Sequence, residues 1–172
     1  LIRFYRVKWV AVGCYALTLI VFGVRVVDRN RDWRDGFTLW IRTVKTVPEC
    51  ARAQDNLGVE YYNRRKYRDA VACHENAIKL RPDYAIAYYN LGNAYNSSGL
   101  CEKAIKVYQE SIRLRPDNLK AYNNLGVAYK NCKQYTEAYN TYLKVLEKDP
   151  TNLAVHNNIG ALLNSLNLYG LA

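Results

Sequence analysis

The 172 residues are 50% hydrophobic and 23% charged, which excludes a disordered chain, and the formal net charge of +10 divides evenly, +5 on residues 1–50 and +5 on residues 51–172. There is no basic stripe interleaved with aromatics. The cations of the second half fall in turns and alternate helices, including Arg64, Arg65, Lys66, Arg81 and Arg115, so no nucleic acid is expected as a partner.

The first element in chain order is an uncharged run from Trp9 to Val24, sixteen residues with only Tyr15 and Thr18 as polar interruptions. As a helix it reaches about 24 Å, and Arg6, Lys8 and Arg25 can snorkel to extend it toward the roughly 30 Å of a bilayer core. Residues 1–27 are therefore expected to form a transmembrane helix with basic flanks, with the lipid bilayer as a partner. Basic residues stand on both sides, Arg3, Arg6 and Lys8 against Arg25, Arg29, Arg31 and Arg34, and leave the orientation open. Residues 28–50 follow as a charged connector and one helix. In it Gly36, Trp40, Thr43 and Pro48 take the spacing of small, aromatic, small and proline residues that recurs downstream, with Trp40 as the anchoring side chain.

All four prolines, Pro48, Pro82, Pro116 and Pro150, lie 34 residues apart. Units of that length, 51–84, 85–118, 119–152 and an incomplete 153–172, share further columns. The seventh and eighth positions read Leu57-Gly58, Leu91-Gly92, Leu125-Gly126 and Ile159-Gly160. The eleventh reads Tyr61, Tyr95, Tyr129 and Leu163, and the twentieth Ala70, Ala104 and Ala138. Apolar residues at spacings of three and four put one face of each helix inward. Glycine costs a helix roughly 1 kcal/mol relative to alanine, so each column glycine implies a close contact, here expected with the column alanine of the second helix. The prolines stop the second helices, and Asp83, Asp117-Asn118 and Thr151-Asn152 are placed to cap the next first helix.

These columns resemble the tetratricopeptide family (TPR), and the resemblance implies an all-α, right-handed α-solenoid of helix-turn-helix units. Ten tyrosines, Tyr61, Tyr67, Tyr88, Tyr95, Tyr108, Tyr122, Tyr129, Tyr135, Tyr142 and Tyr169, fall in columns where a bulky ring fills the space between helices. His74 and His156, the two histidines, stand in similar packing columns. With no glycine-rich phosphate loop, nucleophile elbow or paired carboxylates, no catalytic residue, metal ligand or cofactor is assigned.

Function is sought on the shared groove, with an extended polypeptide or partner protein as ligand. The sixth column is asparagine throughout: Asn56, Asn90, Asn124 and Asn158. Each amide offers a donor and an acceptor to a peptide backbone. This row resembles the asparagine ladder in the repeat domain of the nucleocytoplasmic N-acetylglucosamine transferases, where it holds substrate peptides. Asn63 and Asn131 add to it from the thirteenth column and Asn93 from the ninth, while Tyr62 and Tyr89 project rings toward the same face. A carboxylate clamp for chaperone tails needs inner Lys and Arg. The fifth and ninth columns, Asp55, Tyr89, Asn123, Asn157 and Val59, Asn93, Val127, Ala161, hold none.

Cys14, Cys50, Cys73, Cys101 and Cys132 show no metal-ligand spacing. Cys101 begins one second helix and Cys132 ends the next first helix, adjacent ends that allow a disulfide in an oxidising lumen, with two unpaired thiols as the alternative. The order of span, connector, half-repeat and array resembles the transmembrane and tetratricopeptide-repeat O-mannosyltransferases and their bacterial relatives. That resemblance implies an acceptor-binding C-terminal region of a multi-span glycosyltransferase, in the endoplasmic reticulum membrane with lumenal repeats if eukaryotic. A membrane-anchored scaffold without chemistry is the alternative. The natural chain is expected to continue at both ends.

Overall fold

The computed structural model describes residues 35–166, and the chain divides at residues 42 and 43 into two compact units. In the first, α1 (Gly36–Thr46) begins behind Asp35, whose carboxylate accepts from Phe37 N at 3.2 Å and Thr38 Oγ1 at 3.0 Å. Such a cap satisfies donors that the helix itself leaves open. Trp40 lies mid-helix and partly buried.

The second unit is a row of paired helices: α2 (Ala51–Asn63) with α3 (Tyr67–Leu80), α4 (Ala85–Ser97) with α5 (Cys101–Leu114), and α6 (Leu119–Asn131) with α7 (Tyr135–Lys148), followed by α8 (Leu153–Ser165). All regular structure among the described residues is helical. Second helices are amphipathic, α5 burying Ala104, Ile105, Tyr108 and Ser111 on one stripe. First helices are covered from two sides, which is why α4 buries Ala85, Ala87, Leu91, Gly92, Ala94 and Tyr95 around more of its girth.

First and second helices meet through one repeated turn. The chain turns left-handed at Arg65 (φ 58°), Gly99 (φ 78°) and Lys133 (φ 61°). The next amide then bonds back to the tyrosine carbonyl five residues earlier, at 3.0 Å for Lys66 to Tyr61, 2.9 Å for Leu100 to Tyr95 and 2.9 Å for Gln134 to Tyr129. This double-bonded helix end consumes the last open carbonyls, and only glycine adopts it without side-chain strain. Second helices end otherwise: Arg81, Arg115 and Asp149, each preceding a proline, are extended with φ near −140°, because the proline ring bars the helical conformation there. Asn118 and Asn152 then cap α6 and α8, accepting from Ala121 N at 3.4 Å and Val155 N at 3.2 Å. Asp83 does not cap α4, whose flanking residue is Tyr84 without a side-chain bond.

The column glycines meet a different partner from the one expected. A Cβ built on Gly58 would lie 2.6 Å from the His74 ring, and one on Gly92 2.5 Å from the Tyr108 ring; Gly126 faces Tyr142 in the same way. The contact is helix backbone against the flat of a ring from the twenty-fourth column, not against Ala70, Ala104 or Ala138, which are themselves wholly buried. Tyr108 cannot swing aside, since its hydroxyl donates to Asn93 Oδ1 at 2.7 Å. Gly92→Ala is therefore expected to destabilise by about 1–3 kcal/mol despite alanine's better helix propensity. Thermal unfolding followed by circular dichroism checks this, and a raised Tm would show that the ring yields freely.

Tyr95, Tyr108 and Tyr142 are buried, while Tyr61, Tyr67, Tyr88, Tyr122, Tyr129 and Tyr135 are partly so. Burial pushes the Tyr142 hydroxyl up to about 12. Burial also raises Tyr95 to about 12, helped by the bond its hydroxyl donates to Glu75 at 2.5 Å. His156 is a correction: it is exposed, and its Nε2 donates to the Pro150 carbonyl at 2.9 Å instead of packing in the core. Gln54, 34 columns' worth of sequence away three times over, makes the equivalent bond to Pro48 O at 3.1 Å.

The membrane localisation expected from the sequence is also corrected, because among the described residues no helix is long and apolar enough to cross a bilayer. The run 9–24 and its basic flanks lie outside the described residues, as does Tyr169.

Candidate functional site

Within the second unit each first helix touches the next first helix, α2 to α4, α4 to α6 and α6 to α8, whereas α3, α5 and α7 touch only first helices and never one another. A row that is closer along one edge curves toward that edge. The first helices therefore line the concave face, and their polar columns face a common groove.

Along this edge a second periodicity appears. Side chains at five pairs of positions 35 residues apart are hydrogen-bonded, each linking one first helix to the next. Asn90 Nδ2 donates to both oxygens of Asp55 at 3.2 and 3.1 Å. Asn124 Nδ2 donates to Tyr89 Oη at 3.1 Å and Asn93 Oδ1 at 2.9 Å. Asn158 Nδ2 donates to Asn123 Oδ1 at 2.8 Å. Nearer the helix ends Asn131 Nδ2 donates to Asn96 Oδ1 at 2.8 Å, and the hydroxyls of Tyr62 and Ser97 lie 2.9 Å apart. The sixth column of one unit thus bonds the fifth column of the unit before it.

The first of these junctions has a distinct chemistry. Asp55 is 2% exposed, yet its carboxylate accepts from His74 Nδ1 at 2.7 Å as well as from Asn90. Because a carboxylate only accepts, the His74 proton sits on Nδ1 and the Asn90 amide turns its nitrogen inward. His74 Nε2 is buried without a partner, one of two such side-chain atoms among the described residues with Tyr142 Oη. At the next junction Tyr108 replaces the histidine and Tyr89 the aspartate, and their rings pack tilted at 6.1 Å between centroids. Burial raises the Tyr108 hydroxyl far above its ordinary range, so it remains a donor.

Of the groove residues chosen from the sequence, Asn56, Asn90, Asn93, Asn124, Asn158, Tyr62 and Tyr89 are partly buried, and Asn63 and Asn131 exposed. The ladder differs from the expected one in a specific way. Rungs at 90, 124 and 158 are not free to turn, because the preceding unit accepts a hydrogen bond from each Nδ2. Among the described residues the Asn56 side chain alone of the four has no hydrogen-bond partner. Tyr62 is held against Tyr67, ring centroids 5.5 Å apart, and Tyr89 against Tyr108, so neither ring stands loose in the groove. Asp55, His74, Asn96, Ser97 and Asn123 complete the network and are not among the groove residues chosen from the sequence; hydrogen-bonding residue types 35 apart are the signal that finds Asp55, Asn96, Ser97 and Asn123.

The sulfurs of Cys101 and Cys132 are bonded, with Cα atoms 5.7 Å apart, joining the start of α5 to the residue that ends α6. Cys73 is buried, and burial pushes its thiol up to about 11.

Residues 58–99 and 92–132 match the family model described as TPR repeat, and residues 119–152 the one described as tetratricopeptide repeat. No curated protein sequence matches the chain. The crystal structure of MamA is 32% identical, with 66% of this chain and 67% of that one covered at a TM-score of 0.63. The first TPR of Spaghetti (RPAP3), solved with the HSP90 peptide SRMEEVD, is 24% identical over 69% of this chain and 94% of its own, at a TM-score of 0.65. The Arabidopsis OM64 TPR domain is 23% identical over 68% and 97%, at 0.64. The latter two show likeness of fold alone. The family matches run unbroken from residue 58 to residue 152, over the helices that carry the 34-residue beat and the glycine-on-ring contact, and the chain belongs to the tetratricopeptide repeat family.

Proposed function

We propose that the array is a binding module for an extended polypeptide segment, held along the concave face by Asn56, Asn90, Asn93 and Asn158. The observation that carries this reading is the row of side-chain amides fixed in register by bonds between successive first helices. Fixed amides bind without losing rotamer freedom, which lowers the ordering cost of association. The RPAP3 repeat was solved with an HSP90 peptide that ends in acidic residues. In this chain the fifth and ninth columns supply no cation, and Asp55 is buried against His74 and Asn90. A terminal carboxylate would find no charge-assisted partner there. The ligand is instead gripped through its backbone, in the manner of an internal segment.

The narrower expectation, an acceptor-binding region of an O-mannosyltransferase, draws no support from the family matches or the similar structures. The span and the connector up to residue 34, on which it leaned, lie outside the described residues.

Peptides selected by the full chain from a random dodecapeptide library test the reading. Asn56→Ala with Asn158→Ala should weaken the selected peptides about tenfold or more, at roughly 1 kcal/mol for each hydrogen bond lost. The Asn56 side chain has no hydrogen-bond partner among the described residues, so its loss reports on the ligand alone. Unchanged affinity with helicity intact refutes the proposal.

A further inference from the structure

Resting on that reading, we infer that the groove has a fixed hydrogen-bond polarity: the ladder presents carbonyl oxygens at Asn90 and Asn158, Asn93 presents an N–H donor, and the ligand is an extended strand whose ladder-facing N–H groups bond to those oxygens. The orientation follows from the partners. The Asp55 carboxylate holds Asn90 Nδ2, so the Oδ1 of that amide is turned to the other side. Asn158 Nδ2 is held by Asn123 Oδ1 in the same sense. Asn93 is reversed: its Oδ1 receives both the Tyr108 hydroxyl at 2.7 Å and Asn124 Nδ2 at 2.9 Å, which leaves Nδ2 as its open end.

The open ends reach solvent. Among the described residues only His74 Nε2 and Tyr142 Oη are buried side-chain polar atoms without a partner, so the unbonded Asn90 Oδ1, Asn158 Oδ1 and Asn93 Nδ2 are accessible. Asn124 is closed from both ends, its Nδ2 bonded twice and its Oδ1 met by Asn123 Nδ2 at 3.4 Å. Turning any rung over would set an oxygen against an oxygen, at Asn90 against the buried carboxylate, so the polarity belongs to the fold and is not adjusted by the ligand. Outward acceptors demand donors. In an extended strand successive N–H groups point to opposite sides, so every second amide faces the ladder. The reversed Asn93 takes a carbonyl and thereby sets the register.

Peptides selected from the random dodecapeptide library are resynthesised with ester bonds in place of alternate amides, which removes N–H groups and keeps the carbonyls. The wild-type full chain is titrated with both ester sets. One set should weaken binding at least tenfold and the other less than threefold. Equal tolerance of both sets overturns the polarity while leaving peptide binding standing. A library that yields no binder sinks both. Asn93→Asp supplies the second arm. It keeps an oxygen for Tyr108 and Asn124 and swaps the open donor for an acceptor, and a loss of tenfold or more is expected. Unchanged or tighter binding by Asn93→Asp overturns the role assigned to that residue.

Discussion

Asp55→Ala is expected to lower the unfolding free energy by about 2–4 kcal/mol, because two inward donors lose their acceptor and a buried donor left unsatisfied costs about 1–3 kcal/mol. The carboxylate is the sole acceptor for His74 Nδ1 and for the inward nitrogen of Asn90. Without it the histidine has both ring nitrogens buried and unpaired, since Nε2 already lacks a partner. The loss falls on α2, α3 and α4 together, because the three residues come from those helices. A compensating pair is available in the chain itself. At the third unit the same three positions hold Asn123, Tyr142 and Asn158. Asp55→Asn with His74→Tyr copies that junction, ring over glycine included, and should fall within about 1 kcal/mol of the parent while each single change costs more, a coupling expected of residues in one network. Urea unfolding of the four proteins measures the cycle. A cost below 1 kcal/mol for Asp55→Ala would show that the network contributes little.

Removing the disulfide has an effect of similar size. Cys101 and Cys132 are 31 residues apart, and closing a loop of that length stabilises by roughly 3–4 kcal/mol through the unfolded chain. Cys101→Ala with Cys132→Ala should lower the guanidinium midpoint accordingly, and reduction of the parent should bring it to the same midpoint. Coincident curves for oxidised and reduced parent would refute the estimate. The bridge spans one junction only, between the second and third pairs of helices. Tyr67 with Ser98 and Tyr135 with Leu166 hold the corresponding positions elsewhere. Its loss should therefore uncouple the array at that point and broaden the transition, as expected when nearest-neighbour coupling is weakened.

The helices and their pairing were legible because a 34-residue period is written in the prolines, the Leu-Gly pairs and the tyrosines at once. What the period could not reveal was the rotation of one helix against another. Gly92 was matched to Ala104 because both are small, whereas the structure sets it against the Tyr108 ring, two residue columns that no spacing rule links. The asparagine column was visible, yet its chemistry was not. Reading at a period of 34 compares Asn90 with Asn124 and never with Asp55, its bonding partner one residue out of phase. His156 misled for a related reason: its column is an aromatic packing position in the middle units, but on α8 the ring is exposed and bonds to the Pro150 carbonyl.

That first helices are bonded to one another while second helices never meet gives the array a mechanical character. The bonded edge acts as an inextensible hinge line and the outer helices as the leaves of a fan. Flexing changes the spacing of the leaves and leaves the length of the hinge line nearly constant. A strand bound along that line keeps its register while the body around it bends, so curvature and recognition are mechanically separate.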